Sequence, residues 1–95
     1  MNALGDEAVL VELGRRIAST RLEANRSQTD VAREAGVSVR TLARLEAGEP
    51  TSMVNFVRVL RALGLAGRLG GLVPEPVPSP IERLKLEGRK RERAS

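Results

Sequence analysis

Apolar side chains along this chain return at steps of three and four residues, and short polar or glycine-containing breaks separate the runs. That pattern predicts a series of amphipathic helices. The first run is Leu10, Leu13, Ile17 and Ala18. It predicts a helix from Glu7 to about Ala24, capped by Asp6 and acidic in its first turn, which suits the positive helix end. Glu12, Arg15, Arg16 and Glu23 lie mostly off that face, and Asn25-Arg26 turn the chain. Ser27 offers a second cap, and Val31, Ala32 and Ala35 follow at helical spacing. Gly36 stands where this helix must stop, as a left-handed glycine would. Ser38 is a further cap, so another helix starts almost at once. It turns Leu42 and Leu45 inward and directs Val39, Arg40, Thr41 and Arg44 elsewhere, until Gly48 ends it.

Beyond a loop at Glu49-Pro50-Thr51-Ser52, the stripe Met53, Phe56, Val57, Leu60 and Leu63 predicts a fourth helix, closed by Gly64. Residues 65–72, LAGRLGGL, keep apolar spacing but include three glycines, so the fifth helix should be short and weak. Prolines then alternate through VPEPVPSP, an extended and stiff connection. Ser79-Pro80 can open one more helix through Ile81, Leu84 and Leu86, stopped by Gly88 ahead of a basic end. The expected division is therefore a helical domain over 6–73, a proline-rich linker over 74–80, and a basic tail over 81–95, either a short helix or disordered.

Composition narrows this further. With 41% apolar residues, one Phe and neither Trp nor Tyr, a single small core must be built from Leu, Val, Ile and Ala. Packed helices suit that set better than a sandwich of strands. The chain has no Cys and no His, which removes disulfides, thiolate metal sites and the usual general base. Its only lysines, Lys85 and Lys90, sit in the tail, adjacent carboxylates such as Asp6-Glu7 diverge on a helix, and no P-loop is present. No enzyme, cofactor or metal site is expected. Stacking of RNA bases is also unexpected, because Phe56 is the lone aromatic and falls on an apolar stripe. Nothing resembles a signal peptide or an 18-residue apolar span, so the expected setting is the cytoplasm, away from membranes. Residues 1–80 hold ten Arg/Lys against nine Asp/Glu, a balance of +1, whereas residues 81–95 hold six against three, a balance of +3. Any attraction of the helical part for an anionic partner must come from where its charges stand.

Two short helices joined by a glycine-containing turn, with polar side chains near the start of the second, form a helix-turn-helix layout. The stretch resembles the Cro/CI-like (XRE-type) helix-turn-helix family. The resemblance is carried by Gln28, Val31-Ala32, Gly36-Val37-Ser38, Leu42, Leu45-Glu46 and Gly48. It extends upstream to Leu13-Gly14-Arg15-Arg16-Ile17 and Arg21, and downstream to Pro50 and Leu60-Arg61-Ala62-Leu63-Gly64. It implies an all-α, five-helix, lambda-repressor-like bundle that binds double-stranded DNA.

Arg40 and Arg44, four apart on the second motif helix, can project together into a major groove, where arginine reads guanine through paired hydrogen bonds. Val39 can meet a thymine methyl. Ser27 and Gln28 open a helix whose free N–H groups attract an anion. The resemblance places Gln28 and Thr41 on the sugar-phosphate backbone, with Ser38 near it. It also pairs Arg21 with Glu46 as an internal, architectural ion pair. The function expected is that of a sequence-specific DNA-binding regulator, a dimeric repressor acting on a two-fold operator. The tail leaves three readings open: phosphate contacts through Arg89, Lys90, Arg91 and Arg93, a plain solvated end, or a docking segment anchored by Ile81 and Leu84. Under the last, the chain resembles the HipB group of antitoxins, which would bind a toxin protein and repress their own promoter.

Overall fold

The computed structural model describes residues 5–76. The tail over 81–95 and the end of the linker, including Ile81, Leu84 and the basic cluster, lie outside the described residues. Among the described residues there are five α-helices and no strand: α1 (Asp6–Glu23), α2 (Gln28–Ala35), α3 (Val39–Glu46), α4 (Met53–Ala62) and α5 (Leu69–Leu72). A single 3₁₀ turn, Ala66–Arg68, precedes α5. Helix α2 packs on both α3 and α4, and α1 packs on α3, so the two motif helices are held from behind by α1 and α4.

The core is small and aliphatic. Ile17, Val31, Ala32, Ala35, Leu42, Leu45 and Val59 are buried, ringed by the half-buried Val37, Phe56, Leu60, Ala62 and Leu63. Each of Leu42, Val31 and Val59 is fully enclosed. Side chains of this size bring about 1.5–3 kcal/mol each on burial, so three helices contribute comparable anchors. Serine caps set the helix starts. The hydroxyls of Ser27, Ser38 and Ser52 accept from the backbone N–H of Asp30, Thr41 and Asn55 at 3.0, 3.0 and 3.1 Å.

Three details differ from the sequence-based expectation. Helix α1 begins at Asp6, with Gly5 in extended conformation as its N-cap and no side-chain cap bond. Asp6 therefore lies inside the first turn, where its carboxylate faces the helix dipole directly. The inner face of α1 is Gly14, Ile17 and Arg21, with Leu10, Leu13 and Ala18 only half-buried. In α4, Met53 is 83% exposed and Val59 takes the central position, with Phe56, Leu60 and Leu63 beside it. Met53 is the first residue of α4, ahead of the turns that reach the core.

Arg26 secures the bend between α1 and α2. Its guanidinium donates to Asp30 at 2.8 Å, to Glu34, and to the Ala62 carbonyl at 2.8 Å. The last contact satisfies one of the open carbonyls at the C-terminus of α4. One side chain thus ties the start of the motif to the helix behind it.

Candidate nucleic-acid interface

The motif is built from α2, the turn at Gly36–Ser38, and α3. In α2 the cap of Ser27 and the helical bond from Val31 N–H to the Ser27 carbonyl begin the ladder. The N–H groups of Gln28 and Thr29 precede it and have no partner within the helix. At the other end Gly36 adopts φ 74° and ψ 30°, a left-handed conformation that a side chain would strain. The Gly36 N–H donates to Arg33 and the Val37 N–H to Ala32, closing the helix in a Schellman arrangement. The chain reverses within these residues and Ser38 opens α3.

Ser38 and Thr41 are linked twice. The Ser38 hydroxyl accepts from the Thr41 N–H at 3.0 Å and donates to Thr41 Oγ1 at 2.9 Å. Thr41, half-buried, retains its own O–H as a donor. Leu42 and Leu45 are buried, Arg40 and Arg44 stand on the opposite, exposed side, and Val39 is exposed at the start of the helix. Arg40 and Arg44 are about 6 Å apart along the helix axis. Arg44 Nε lies 3.6 Å from Glu49 Oε2 in a loose pair with both side chains more than half exposed. Contacts of that kind in water are worth about 0–1 kcal/mol, so Arg44 is readily released.

Behind this face sits an ionic cluster. Arg21 of α1 meets Glu46 of α3 in two bonds, Nε to Oε2 at 2.7 Å and Nη2 to Oε1 at 3.0 Å. Their side chains are 11% and 8% exposed. Arg21 Nη1 also donates to the Arg26 carbonyl at 2.8 Å. The hydrogen bonds with Glu46 raise the pKa of the guanidinium above its ordinary value, against the opposing effect of burial. Gln28 Nε2 joins the cluster, donating to Glu46 Oε1 at 3.1 Å. One carboxylate therefore connects α1, α2 and α3.

The positions singled out from the sequence form two groups. Ser38, Val39, Arg40, Thr41 and Arg44 share α3 and its cap, whereas Ser27 and Gln28 begin α2, with Gln28 beside the far end of α3 through Glu46. Sequence reasoning missed the Gln28–Glu46 bond, the Arg44–Glu49 pair and the reach of Arg26 to Ala62. None of these three is marked by local spacing; only the neighbouring Arg26–Asp30 pair carried a signal, as opposite charges four apart on the sequence. It also missed a polar cleft of about 180 Å³ between α3 and the start of α4, lined by Thr41, Arg44, Pro50, Thr51, Ser52 and Asn55.

A short helix held by its apolar back, its charged front open and its start fixed by a capped turn, defines the class of helix-turn-helix proteins. Residues 17–68 match the family model for "Helix-turn-helix", more than half of the 95-residue chain. The chain belongs to the Cro/CI-like (XRE-type) helix-turn-helix family and is a DNA-binding transcription regulator with a lambda-repressor-like helical bundle. No curated protein matches the chain. Among the described residues no helix is long and apolar enough to cross a membrane, and no group of His, Cys, Asp and Glu could hold a metal ion.

Proposed function

We propose that this regulator is a cytoplasmic repressor that binds a two-fold operator as a homodimer, with α3 in the major groove. The observation that carries this reading is the division of α3 itself. Leu42 is fully buried and Leu45 4% exposed, whereas Arg40 and Arg44 stand clear on the other face. A groove-reading helix needs both properties, because its side chains must reach base edges from a backbone that does not yield.

In this reading Arg40 and Arg44 recognise bases, each good pair contributing about 1–3 kcal/mol of discrimination, and Val39 packs on a thymine methyl. Ser27, Gln28, Ser38 and Thr41 hold phosphates, through the free N–H groups of the first turn of α2 and the free O–H of Thr41. Pairing of two copies is supported by an apolar groove of about 180 Å³, lined mainly by Leu13, Ile17, Phe56, Leu60, Leu69 and Leu72. Leu72 and Val73 at its edge are 68% and 76% exposed, apolar surface that a second copy would cover. Two modules read half-sites about 10 bp apart and block a promoter.

Selection of bound DNA from a random pool, followed by footprinting, tests the proposal and yields the operator. With that operator, Arg44→Ala is expected to lose discrimination at one or two positions while keeping the remainder of the preference. Uniform weakening across all sequences would refute base reading by Arg44, and no selected sequence at low salt would refute the function.

A further inference from the structure

The cluster behind the motif contains more than an ion pair. Glu46 Oε1 accepts from Arg21 Nη2 at 3.0 Å and from Gln28 Nε2 at 3.1 Å, while Oε2 accepts from Arg21 Nε at 2.7 Å. A carboxylate paired with arginine is an acceptor only, so the Gln28 carboxamide can meet it only through its nitrogen. The choice between the two amide orientations, free for a solvated glutamine, is thereby made by Glu46. One N–H is consumed by Glu46, and the second has no partner among the described residues.

We infer that Glu46 is a positioning residue for DNA binding: it fixes the Gln28 carboxamide so that its remaining N–H and the unpaired backbone N–H of the same residue address one phosphate together. This rests on the reading of Gln28 as a phosphate contact. The backbone N–H stands at the first position of α2, where helix geometry leaves it unbonded and directed outward past the helix start. An anion accepts from N–H groups but is repelled by an amide oxygen, so an amide free to turn would spend part of its time presenting the wrong end. Glu46 itself has 8% of its side chain exposed and takes no part in the contact. It acts through Gln28 and also restrains a flexible side chain before DNA arrives, which lowers the entropic cost of binding.

The test is a coupling measurement on the full chain with its selected operator. Gln28→Ala in the wild-type background is expected to weaken binding about tenfold, the scale of a hydrogen bond to a charged group. Because Glu46→Gln alone leaves the Arg21 charge buried without its partner, the companion background is Arg21→Gln with Glu46→Gln. That background removes both charges and leaves an amide facing Gln28. There the effect of Gln28→Ala should shrink to about threefold or less. In parallel, the Gln28 side-chain N–H that meets Glu46 should be displaced in shift and slow to exchange in the free wild type, and move toward the values of a solvated carboxamide in the double variant. An equal Gln28→Ala effect in both backgrounds, or resonances that do not respond, overturns the positioning role while leaving the phosphate contact standing. No effect of Gln28→Ala in the wild type overturns the phosphate contact and the positioning role with it. Base discrimination by Arg44 would survive either result.

Discussion

Gly14 sits in α1 where that helix crosses the end of α3. A Cβ built there would lie 2.5 Å from the Leu45 carbonyl oxygen and 2.6 Å from that of Glu46. Comfortable carbon–oxygen approach is about 3.3 Å, so Gly14→Ala must part the two helices by roughly 0.8 Å. Two effects oppose one another. In a helix interior, alanine gains about 0.5–1 kcal/mol over glycine, through propensity and the unfolded chain. Forcing an extra methyl into a packed contact costs about 1–3 kcal/mol, and the upper part of that range applies when the opposing atoms are backbone and cannot swing aside. The packing loss wins, and a net destabilisation of about 1–2 kcal/mol is expected.

Urea unfolding followed by circular dichroism measures this directly. With a slope of about 1–2 kcal/mol per molar, the midpoint should fall by roughly 1 M with the slope unchanged. Gly71→Ala supplies the control, since a Cβ at Gly71 in α5 meets nothing within 4 Å. It should hold or raise the midpoint through propensity alone. If Gly14→Ala raises the midpoint as Gly71→Ala does, the close approach of α1 to α3 is wrong. The register that brings Arg21 to Glu46 would be wrong with it.

Further outcomes follow from the ion pairs. Arg21→Met alone leaves the Glu46 carboxylate, 8% exposed, without its cation and should cost about 3–5 kcal/mol, whereas Arg21→Met with Glu46→Leu should cost clearly less in the same urea titration. An additive or larger loss in the double variant would contradict this. Glu12 accepts from Arg15 and from Arg16, and these bonds, Arg15 first, hold its pKa at about 2 against an ordinary 4.5. A pKa lowered on folding adds stability above about 4.5 that disappears as pH falls toward 2, so Glu12→Gln should destabilise at pH 6 and match the wild type near pH 2. A constant difference between the two proteins across that range would contradict the pairing.

What the sequence revealed and what it hid follow from one distinction. Serine caps and left-handed glycines act within a few residues, so Ser27, Gly36 and Ser38 mark the motif wherever the rest of the chain lies. The face of α3 is equally local, because Leu42 and Leu45 leave their own exposed side to Arg40 and Arg44. In α4, two stripes both satisfy steps of three and four. One begins at Met53, and the other runs through Phe56, Val59, Leu60 and Leu63; only the position of the core chooses between them. In α1, hydropathy cannot register Gly14, which is inside because backbone approaches backbone, or Arg21, which is inside because its charge is met from another helix. The bond from Gln28 to Glu46 spans 18 positions and depends on how α2 and α3 cross, a distance no periodicity encodes.

The distribution of arginines gives the near-neutral helical part its polarity. Arg15, Arg16, Arg21 and Arg26 are each paired with carboxylates of α1, α2 or α3. Arg44 is held only by the loose contact with Glu49, and among the described residues Arg33, Arg40, Arg58, Arg61 and Arg68 have no ion-pair partner. Of the two arginines on α3, one is therefore unpaired and the other weakly held, while the arginines that fasten α1 and the entry to α2 are neutralised locally. Local pairing removes most of the long-range field of a charge, because equal and opposite charges a few ångströms apart cancel beyond the Debye length of about 8 Å. A phosphate approaching the open face of α3 thus meets positive charge that the whole-chain balance does not reveal. Of the paired arginines, Arg21 fastens α1 to the end of α3 and Arg26 ties the entry of α2 to the end of α4, so partner placement separates the arginines that brace the motif from those left open on it.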